Sequence, residues 1–337
     1  MTNTPSLFPV AAPESKRTRG SGNVGAAWDS PLLEAPTLPP DIRLGTSSWF
    51  FPGWRGLVYD GLHAQATLSR KGLAAYAQVP LLRTVSLDRT FYAPLSASDY
   101  ERYARQVPDH FSFVVKAPAL VCDAVARDEE GRGRGANPHF LDAAVAAREF
   151  VLPCLEGLCA KAGPLVFQIS PLPDALAGDP ATLVARLEAF FAALPRELGR
   201  LRPLYALELR NPELVAPRLM KMLARAGIRY CVGLHARMPE IERQQIALGV
   251  LDGSRPGTLV VRWNLHRGFL YEAARQRYEP FDKLLDEDTQ TRKILARMAA
   301  DAFAAGQKVW ITANNKAEGS APLTLLELAR EIAKVLP

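Results

Sequence analysis

The stretch from Ile42 to Trp54 reads Ile-Arg-Leu-Gly-Thr-Ser-Ser-Trp-Phe-Phe-Pro-Gly-Trp. A short apolar run ends in small hydroxyl residues and then enters a loop rich in aromatic residues. Before it lies a polar, proline-rich arm, and after it strand-like runs alternate with helical patterns up to the C-terminus. We interpret this stretch as the first strand of a parallel barrel, and we predict that Trp49 and Trp54 lie over the barrel mouth.

Eight short apolar runs rich in Val, Ile, Leu and Phe are typical of strands buried on both faces of a parallel sheet. Each run is followed by a helical pattern. Eight strand–helix units within roughly 290 residues close a TIM-like (β/α)8 barrel, so residues 41–337 are predicted to form a single barrel domain. An open doubly wound sheet is the alternative, but its usual Gly-rich first turn is missing. The predicted strands are 42–46, 82–87, 111–116, 165–169, 204–209, 228–234, 258–263 and 308–313.

Three of the predicted helices begin at an Asn or Asp that is followed by Pro, a combination that suits the N-cap and the first helical turn. These pairs are Asn137-Pro138, Asp179-Pro180 and Asn211-Pro212. Residues 1–40, by contrast, are rich in Pro, Ser, Thr and Gly and show no periodicity. We predict that they form a flexible arm, whose Trp28 and Leu32-Leu33 could still dock onto the barrel.

The overall composition is that of a soluble globular protein, with 48% hydrophobic and 23% charged residues. No apolar run reaches membrane-spanning length, and none of the four cysteines forms a Cys-x-x-Cys pair. We therefore expect a cytoplasmic protein with reduced thiols and no membrane partner. The net charge of +6 suits an anionic small molecule or nucleic acid as partner. The sequence indicates no particular cofactor or oligomeric state.

Polar residues recur at the carboxyl ends of the predicted strands, where barrel proteins place their sites. Because side chains alternate along a strand, only one parity points into the barrel. In the fifth strand Glu208 and Arg210 share the inward parity, and Tyr205, Leu207 and Leu209 share the outward one. The same alternation predicts a ring of inward polar groups: Ser86, Asp88, Lys116, Gln168, Glu208, Arg210, His235, Arg262, Asn264, Thr312 and Asn314.

This ring is mostly cationic or rich in hydrogen-bond donors, and arginine forks bind carboxylate or phosphate at two points. We predict an anion site in which Arg210, Arg262 and Lys116 hold the ligand and Asn314 and Asn315 orient it. Glu208 and Lys116 are the catalytic candidates, with Glu208 moving protons. The alternative is that Glu208 forms a structural ion pair with the arginines. Further binding candidates are Gln168, Asp88, Asn264 and His235.

The aromatic residues after the first two strands include Trp49, Trp54 and Tyr92. They either stack on a base or sugar ring of the ligand or plug the top of the barrel against neighbouring helices. A metal site built from Glu208, His235, His266 and Asp88 is a competing interpretation. No His-x-His or His-Glu-x-x-His motif supports it, so no metal ligand is assigned.

Several motifs together resemble the YecE-like family, also known as domain of unknown function 72. They extend in order over nearly the whole predicted barrel. They are Gly45-Thr-Ser-Ser-Trp49, Pro52-Gly-Trp-Arg-Gly56, Thr90-Phe-Tyr92, Phe111-Ser-Phe-Val-Val-Lys-Ala-Pro118, Gly163-Pro-Leu-Val-Phe-Gln168, Leu207-Glu-Leu-Arg210, Val261-Arg262 and Asn314-Asn315. The resemblance implies a TIM-barrel-like, bacterial cytoplasmic protein whose activity is not established, with an analogy to metal-dependent barrels that act on sugars or abasic nucleic acid.

The sequence departs from the family pattern at positions that matter for chemistry. Ser86 and Asp88 stand where the family usually has Glu-x-Asn, and Val121-Cys122-Asp123 stands in place of its Thr-His. The family's Arg-Leu-His-Gly block is altered to Arg262-Trp-Asn-Leu-His-Arg-Gly268. Because an acid and a histidine of the family pattern are missing, the resemblance implies anion binding for this sequence more readily than a metal-binding or acid–base role.

We therefore expect an enzyme of hydrolase or isomerase type that binds a phosphorylated or other anionic small molecule at the carboxyl-terminal mouth of the barrel. A nucleic-acid-binding protein, or a metal-dependent nuclease-like barrel, is the alternative. It predicts a continuous stripe of Lys and Arg across the surface. A non-catalytic scaffold is the second alternative, in which the inward residues pair fully with one another and leave no pocket.

Overall fold

A computed structural model describes residues 23–128 and 132–337. Eight parallel strands form a closed barrel in which the first strand pairs with both the second and the eighth. The predicted TIM-like barrel is confirmed, because the first and the eighth strands pair with each other and no strand of the described barrel is left at an open edge. The barrel strands are β1 (Ile42–Thr46), β2 (Leu82–Leu87), β3 (Ser112–Lys116), β4 (Ala162–Gln168), β5 (Leu204–Glu208), β6 (Arg229–Leu234), β7 (Leu259–Trp263) and β8 (Val309–Ala313).

A helix follows each strand and packs on the outside of the barrel. The barrel helices are α1 (Gln65–Tyr76), α2 (Ala97–Ala104), α3 (143–158, with a π-helical turn at Ala147–Val151), α4 (Pro180–Ala193), α5 (Pro217–Ala226), α6 (Ile241–Asp252), α7 (Thr289–Ala304) and α8 (Ala321–Val335). Two insertions stand out. An antiparallel hairpin, Val125–Arg127 with Gly133–Ala136, precedes α3, and a short helix, Tyr271–Tyr278, lies between β7 and α7.

The barrel interior and the layer under the helices are two separate apolar clusters. The interior cluster contains Val114, Val166, Ala206, Cys231, Val260 and Trp310. Residues of the opposite parity, such as Leu207 and Val261, pack outward in the larger cluster with the helices. The predicted alternation is therefore confirmed. Two residues further along β3, β4, β5, β7 and β8 the interior becomes polar, with Lys116, Gln168, Glu208, Arg262 and Thr312, so that charged groups lie at the carboxyl ends of the strands.

Strand β1 lies unusually close to β2 at Gly45. A Cβ atom at this position would stand 1.8 Å from the carbonyl oxygen of Thr84, far inside van der Waals contact. Only glycine permits this approach. The glycine in the opening stretch therefore serves the packing of neighbouring strands.

One of the three predicted helix starts is confirmed, and two are wrong. The Asp179 side chain accepts a hydrogen bond from the Thr182 amide at 3.1 Å and caps α4 as expected. Asn211 instead accepts from the Leu172 amide at 2.9 Å, and α5 begins only at Pro217. The side chain that was expected to cap α5 is thus used to connect two strand–helix loops.

Asn137 is the second predicted cap that serves another purpose. Its amide nitrogen donates to the carbonyl oxygens of Leu120 and Asp123, at 2.8 and 2.7 Å. Helix α3 begins six residues later at Ala143, where Asp142 accepts a hydrogen bond from the helix. A local Asn-Pro signal could not reveal these distant acceptors, which hold the loop instead of starting the helix.

The described part of the predicted arm, residues 23–40, packs against the barrel, so the prediction of a flexible arm is wrong for these residues. Leu32 and Leu38 are buried, and Arg83 of β2 donates to the Leu38 carbonyl at 2.9 Å. Trp28 does not dock, since 75% of its surface is exposed. The prediction for residues 1–22 lies outside the described residues. Within the described ranges, no helix combines the length and apolar character that crossing a bilayer requires.

Candidate functional site at the barrel mouth

A cavity of about 320 Å³ lies at the carboxyl ends of the strands. The loop after β1 and the segment between β7 and α7 form its walls. These two loops are in tight contact, because a Cβ atom at Gly53 would lie 1.7 Å from the Pro280 carbonyl oxygen. The polar side chains that line the cavity include Ser47, Ser48, Gln65, Asp88, Lys116, Arg275, Glu279, Asn314 and Lys316. The strand-end ring and the mouth cavity thus overlap only in part.

An ion-pair network centred on Arg262 fills the barrel below the cavity. One guanidinium nitrogen, Nη1, donates to Glu208 Oε2 at 2.6 Å. The other, Nη2, donates to both carboxylate oxygens of Asp88, at 2.8 and 2.6 Å. Ser86 also donates to Asp88, at 2.6 Å. Because β2, β5 and β7 all contribute, the network joins strands across the barrel interior.

The second oxygen of Glu208 is also occupied. Arg210 Nη1 lies 2.8 Å from Glu208 Oε1, and Asn264 Nδ2 donates to the same oxygen at 3.2 Å. Arg210 Nη2 donates to Gln168 Oε1 at 2.9 Å. The strand-end residues of β4, β5 and β7 are therefore paired mainly with one another. Arg262 donates to two carboxylates, and Arg210 contacts one carboxylate and one side-chain amide oxygen.

Glu208 is fully buried, and it stays ionised because of its arginine partners. Burial acts to raise its pKa, but the positive charges of Arg210 and Arg262 outweigh burial and lower the pKa of Glu208 to about 2. A carboxylate with both oxygens engaged and such a low pKa is a poor proton carrier near neutral pH. The geometry thus supports the structural ion pair, the alternative that the sequence left open, over a proton-moving role.

Lys116 differs from the arginines because it lacks a charged partner. Its side chain is 3% exposed, it lines the cavity, and its Nζ atom lies 3.5 Å from the centre of the Phe91 ring. In the part of the chain that the structure describes, no ion pair or hydrogen bond engages Nζ. Burial lowers the pKa of Lys116 to about 7, and the nearby charges of Asp88 and Arg262 act in opposite directions.

Lys316 is a second buried lysine in the same cavity, and the sequence analysis missed it. It is 4% exposed, and its Nζ lies 4.0 Å from the Tyr271 ring centre and 3.5 Å from Asn314 Oδ1. Burial, with a smaller contribution from Arg275, lowers its pKa to about 8. It sits in a 3-10 turn after β8, where strand parity does not apply. Its place directly after Asn314-Asn315 was the only sequence signal.

The two predicted orienting residues have different positions. Asn314 lines the cavity and donates to Ser47 Oγ at 2.8 Å. Asn315 is buried, and its Oδ1 accepts from Trp54 Nε1 at 3.2 Å and from the Ala321 amide at 2.9 Å. Asn315 therefore ties the loop after β1 to the start of α8, and it is Asn314 that faces the cavity.

The aromatic candidates also divide into packing and cavity residues. Trp49 is buried and donates to the Leu68 carbonyl of α1 at 3.1 Å, and Trp54 is fully buried. Both positions match the plug alternative. Tyr92 lines the cavity and is 47% exposed. The other aromatic side chains on the cavity wall are Phe50, Phe51, Tyr271 and Phe281.

His235 and the competing metal site complete the predicted positions. Burial and the positive charge of Arg210 lower the pKa of His235 to about 4, so its imidazole is neutral near pH 7. Glu208 and Asp88, two of the suggested ligands, already bind arginines. Across the described ranges, no three His, Cys, Asp or Glu side chains are grouped so that they could hold a metal ion.

The fold and the site define a TIM-like barrel with a polar, lysine-containing cavity at the carboxyl ends of its strands, where barrel proteins place their sites. The chain belongs to the family described as protein of unknown function DUF72, whose family model matches residues 43–336. The predicted resemblance to the YecE-like family is confirmed. No significant match was found among curated proteins.

Solved structures of two DUF72 family proteins share the fold. The protein from Thermotoga maritima MSB8 is 19% identical, with a TM-score of 0.58 over 87% of this chain and 99% of that one. The protein from Enterococcus faecalis V583 is 17% identical, with a TM-score of 0.57 over 87% of this chain and 95% of that one. At these identities the comparison supports the barrel alone.

Proposed function

We propose that the protein is an enzyme that binds a small phosphorylated or otherwise anionic molecule in the mouth cavity. Lys316 holds the anionic group and Lys116 transfers a proton. The observation that carries this proposal is a pair of lysines in one cavity, each at least nine-tenths buried and without a carboxylate partner among the described residues. Arg210 and Arg262, which the sequence suggested as anion ligands, instead hold the floor of the cavity together.

An anionic ligand would supply the counter-charge that the two lysines lack. A buried ammonium group without a partner is unfavourable, and its pKa falls as a result. A ligand phosphate or carboxylate near Lys316 would reverse this effect. Arg275 also lines the cavity, although its Nε donates to Glu279 at 2.9 Å. We therefore assign the main anion contact to Lys316.

The cavity volume and the side chains favour an isomerising reaction over hydrolysis. A volume of about 320 Å³ suits a small molecule whose carbon skeleton packs on the aromatic wall. With a pKa of about 7, Lys116 can both accept and return a proton near neutral pH. Hydrolysis would need a group that activates water, and the three carboxylates of the described chain at or below the cavity, Glu208, Asp88 and Glu279, are each engaged by an arginine.

Two features favour this proposal over the alternatives. A nucleic-acid-binding protein needs exposed, unpaired cations on the surface around the mouth, but Arg275 and Arg277 on the adjoining segment pair with Glu279 and Asp286. A scaffold would have no pocket and no unpaired amine at the mouth. This protein has a cavity, and the amine of Lys116 lines it. A small anionic ligand accounts for both observations.

Thermal shift measurements with sugar phosphates, each compared with its unphosphorylated sugar, test the proposed anion site. A phosphorylated ligand at about 100 times its Kd should raise the Tm by roughly 3–6 °C. In Lys316→Met, the affinity should fall roughly tenfold to a hundredfold because a charge-assisted hydrogen bond is lost. Lys221→Met, which removes an exposed lysine on α5, is the matched control and should behave like the wild type.

Three results would contradict the proposal. They are an absence of stabilisation by any phosphorylated probe, equal stabilisation by the neutral sugars, and an unchanged affinity in Lys316→Met. Stabilisation by a DNA or RNA oligonucleotide alone, with a steep dependence on salt, would favour the nucleic-acid alternative instead. The Tm of each variant without ligand shows whether it is folded.

A further inference from the structure

We infer that Lys116 is a nucleophile that forms an imine with the carbonyl carbon of an aldehyde or ketone ligand. This inference rests on the proposed function and deepens it, since it narrows the substrate class to phosphorylated carbonyl compounds. It also changes the role of Lys116 from a proton carrier to the covalent attachment point of the ligand.

The position of Lys116 suits a nucleophile. It is the last residue of β3, so the strand holds its backbone rigidly at the cavity floor. Its Nζ atom lies over the Phe91 ring, and no acceptor among the described residues binds it. The amine lone pair can therefore be directed into the cavity once the proton has left. An imine-forming lysine needs this combination of a desolvated amine and open space for the carbonyl group.

The groups that surround Lys116 leave part of it unprotonated at neutral pH. Burial has the largest effect, Asp88 and Glu208 favour the ammonium form, and Arg262 and Arg210 oppose it. Because both carboxylates bind the arginines directly, their attraction for the lysine is largely compensated. The thiol of Cys122 is also close, but burial raises its pKa well above the usual range, so it is neutral.

The reaction balances without an oxidant or a reductant. The lone pair of the neutral Nζ amine forms a bond to the carbonyl carbon. One N–H proton of that amine and one proton from solvent pass to the carbonyl oxygen, which leaves as water. A carbon–nitrogen double bond replaces the carbon–oxygen double bond, and the nitrogen of the protonated imine carries the positive charge. That charge withdraws electrons from the adjacent carbon, whose C–H bond becomes more acidic. The proton passes to solvent water and returns to the opposite face of the same carbon. Hydrolysis of the imine then releases the epimerised carbonyl compound and restores the free amine of Lys116.

The second lysine is less suited to this role. Lys316 Nζ lies near Asn314 Oδ1 and between two aromatic rings, with Tyr271 at 4.0 Å and Phe281 at 5.6 Å from the ring centres. Its pKa of about 8 keeps it more protonated than Lys116 at neutral pH. The geometry therefore assigns different roles to the two lysines: Lys316 binds the anionic group, and Lys116 attacks the carbonyl carbon.

Reductive trapping tests the inference. The full-length protein is incubated at pH 7 with glycolaldehyde phosphate and sodium cyanoborohydride, and the adducts are located by peptide mass spectrometry. We expect Lys116 to be labelled at least about tenfold faster than any exposed lysine, because far more of its amine is neutral at this pH. Lys116→Arg should lose this adduct, and Lys221→Met should keep it. Unphosphorylated glycolaldehyde should label Lys116 more slowly.

Labelling spread over the exposed lysines, or a total rate unchanged in Lys116→Arg, would overturn the inference. Circular dichroism and a Lys116→Met variant show whether a lost adduct reflects lost folding. The proposed function can be judged separately. If glycolaldehyde phosphate raises the Tm of the wild type but leaves no adduct on Lys116, the imine is rejected and the anion site stands. If it does neither, both are rejected for this probe.

Discussion

Lys116→Met is expected to stabilise the protein by roughly 2–4 kcal/mol at pH 7, although it removes the amine from the proposed site. Burial lowers the pKa of Lys116 to about 7, whereas lysine in an unfolded chain titrates near its ordinary value of about 10.4. Between these two pH values the unfolded state binds more protons than the folded state. Stability therefore rises with pH across this window.

The gain from Lys116→Met should accordingly depend on pH. It should be largest below about pH 7, where the full cost of the buried ammonium is present, and it should vanish as the pH rises toward 10.5. Urea unfolding at pH 6.5, 8 and 9.5 measures this dependence, with Lys221→Met as the matched control on the surface of α5. A loss of stability at pH 7, or a gain that does not change with pH, would contradict the assignment of Lys116 as an unpaired amine.

Arg262→Met is expected to have the opposite effect and to destabilise the protein by about 3–5 kcal/mol. The substitution removes the guanidinium that binds Glu208 and Asp88, and it leaves their charges in the barrel without this partner. Arg210 still pairs with Glu208, so the remaining deficit falls mainly on Asp88. Removal of one member of a buried ion pair is costly because the other charge stays desolvated.

Urea unfolding at pH 7 measures this loss, and Arg330→Met is its control. Arg330 pairs with Glu327 at 2.6 Å on the exposed side of α8, so the control should change stability by less than about 1 kcal/mol. A double variant, Arg262→Met with Asp88→Asn, should recover part of the loss because it also removes the stranded charge. An Arg262→Met variant as stable as the control would show that the network does not hold the barrel mouth together.

The opposite stability changes expected for Lys116→Met and Arg262→Met distinguish a buried charge without an ionic partner from a buried charge that has carboxylate partners. Arg262 binds carboxylates on two other strands, and the structure accounts for it without a ligand. Lys116 is expected to reduce stability, and among the described residues it contacts the Phe91 ring but has no ion-pair or hydrogen-bond partner. A side chain that is costly to bury is better explained by what it does to a ligand.

The barrel and the inward-facing residues were predictable because both follow from periodicity. Eight apolar runs specify eight strands, and alternation within each run specifies which side chains enter the barrel. Lys116 and Asn314 were placed at the mouth in this way, and both line the cavity. The alternation of apolar and polar residues was sufficient wherever the position of a side chain depended on its own strand alone.

The partners of the arginines were not predictable, because they depend on distances across the barrel. Sequence alone left Glu208 either as a proton carrier or as an ion-pair residue, and the choice depends on where β7 places Arg262. Lys316 was missed because it lies in a turn, where side chains do not alternate. Trp54 is buried with its indole N–H donated to Asn315, a partner that is distant in the chain.

The pKa of Lys116 tests the central claim most directly. A pH titration by NMR of the protein labelled with ¹³C and ¹⁵N in its lysine side chains follows each ammonium group, and Lys116→Met identifies the signal that belongs to Lys116. The account predicts a midpoint of about 7 for this signal. A midpoint near the ordinary lysine value of about 10.4 would contradict it, because Lys116 would then be fully protonated at neutral pH and unable to act as base or nucleophile.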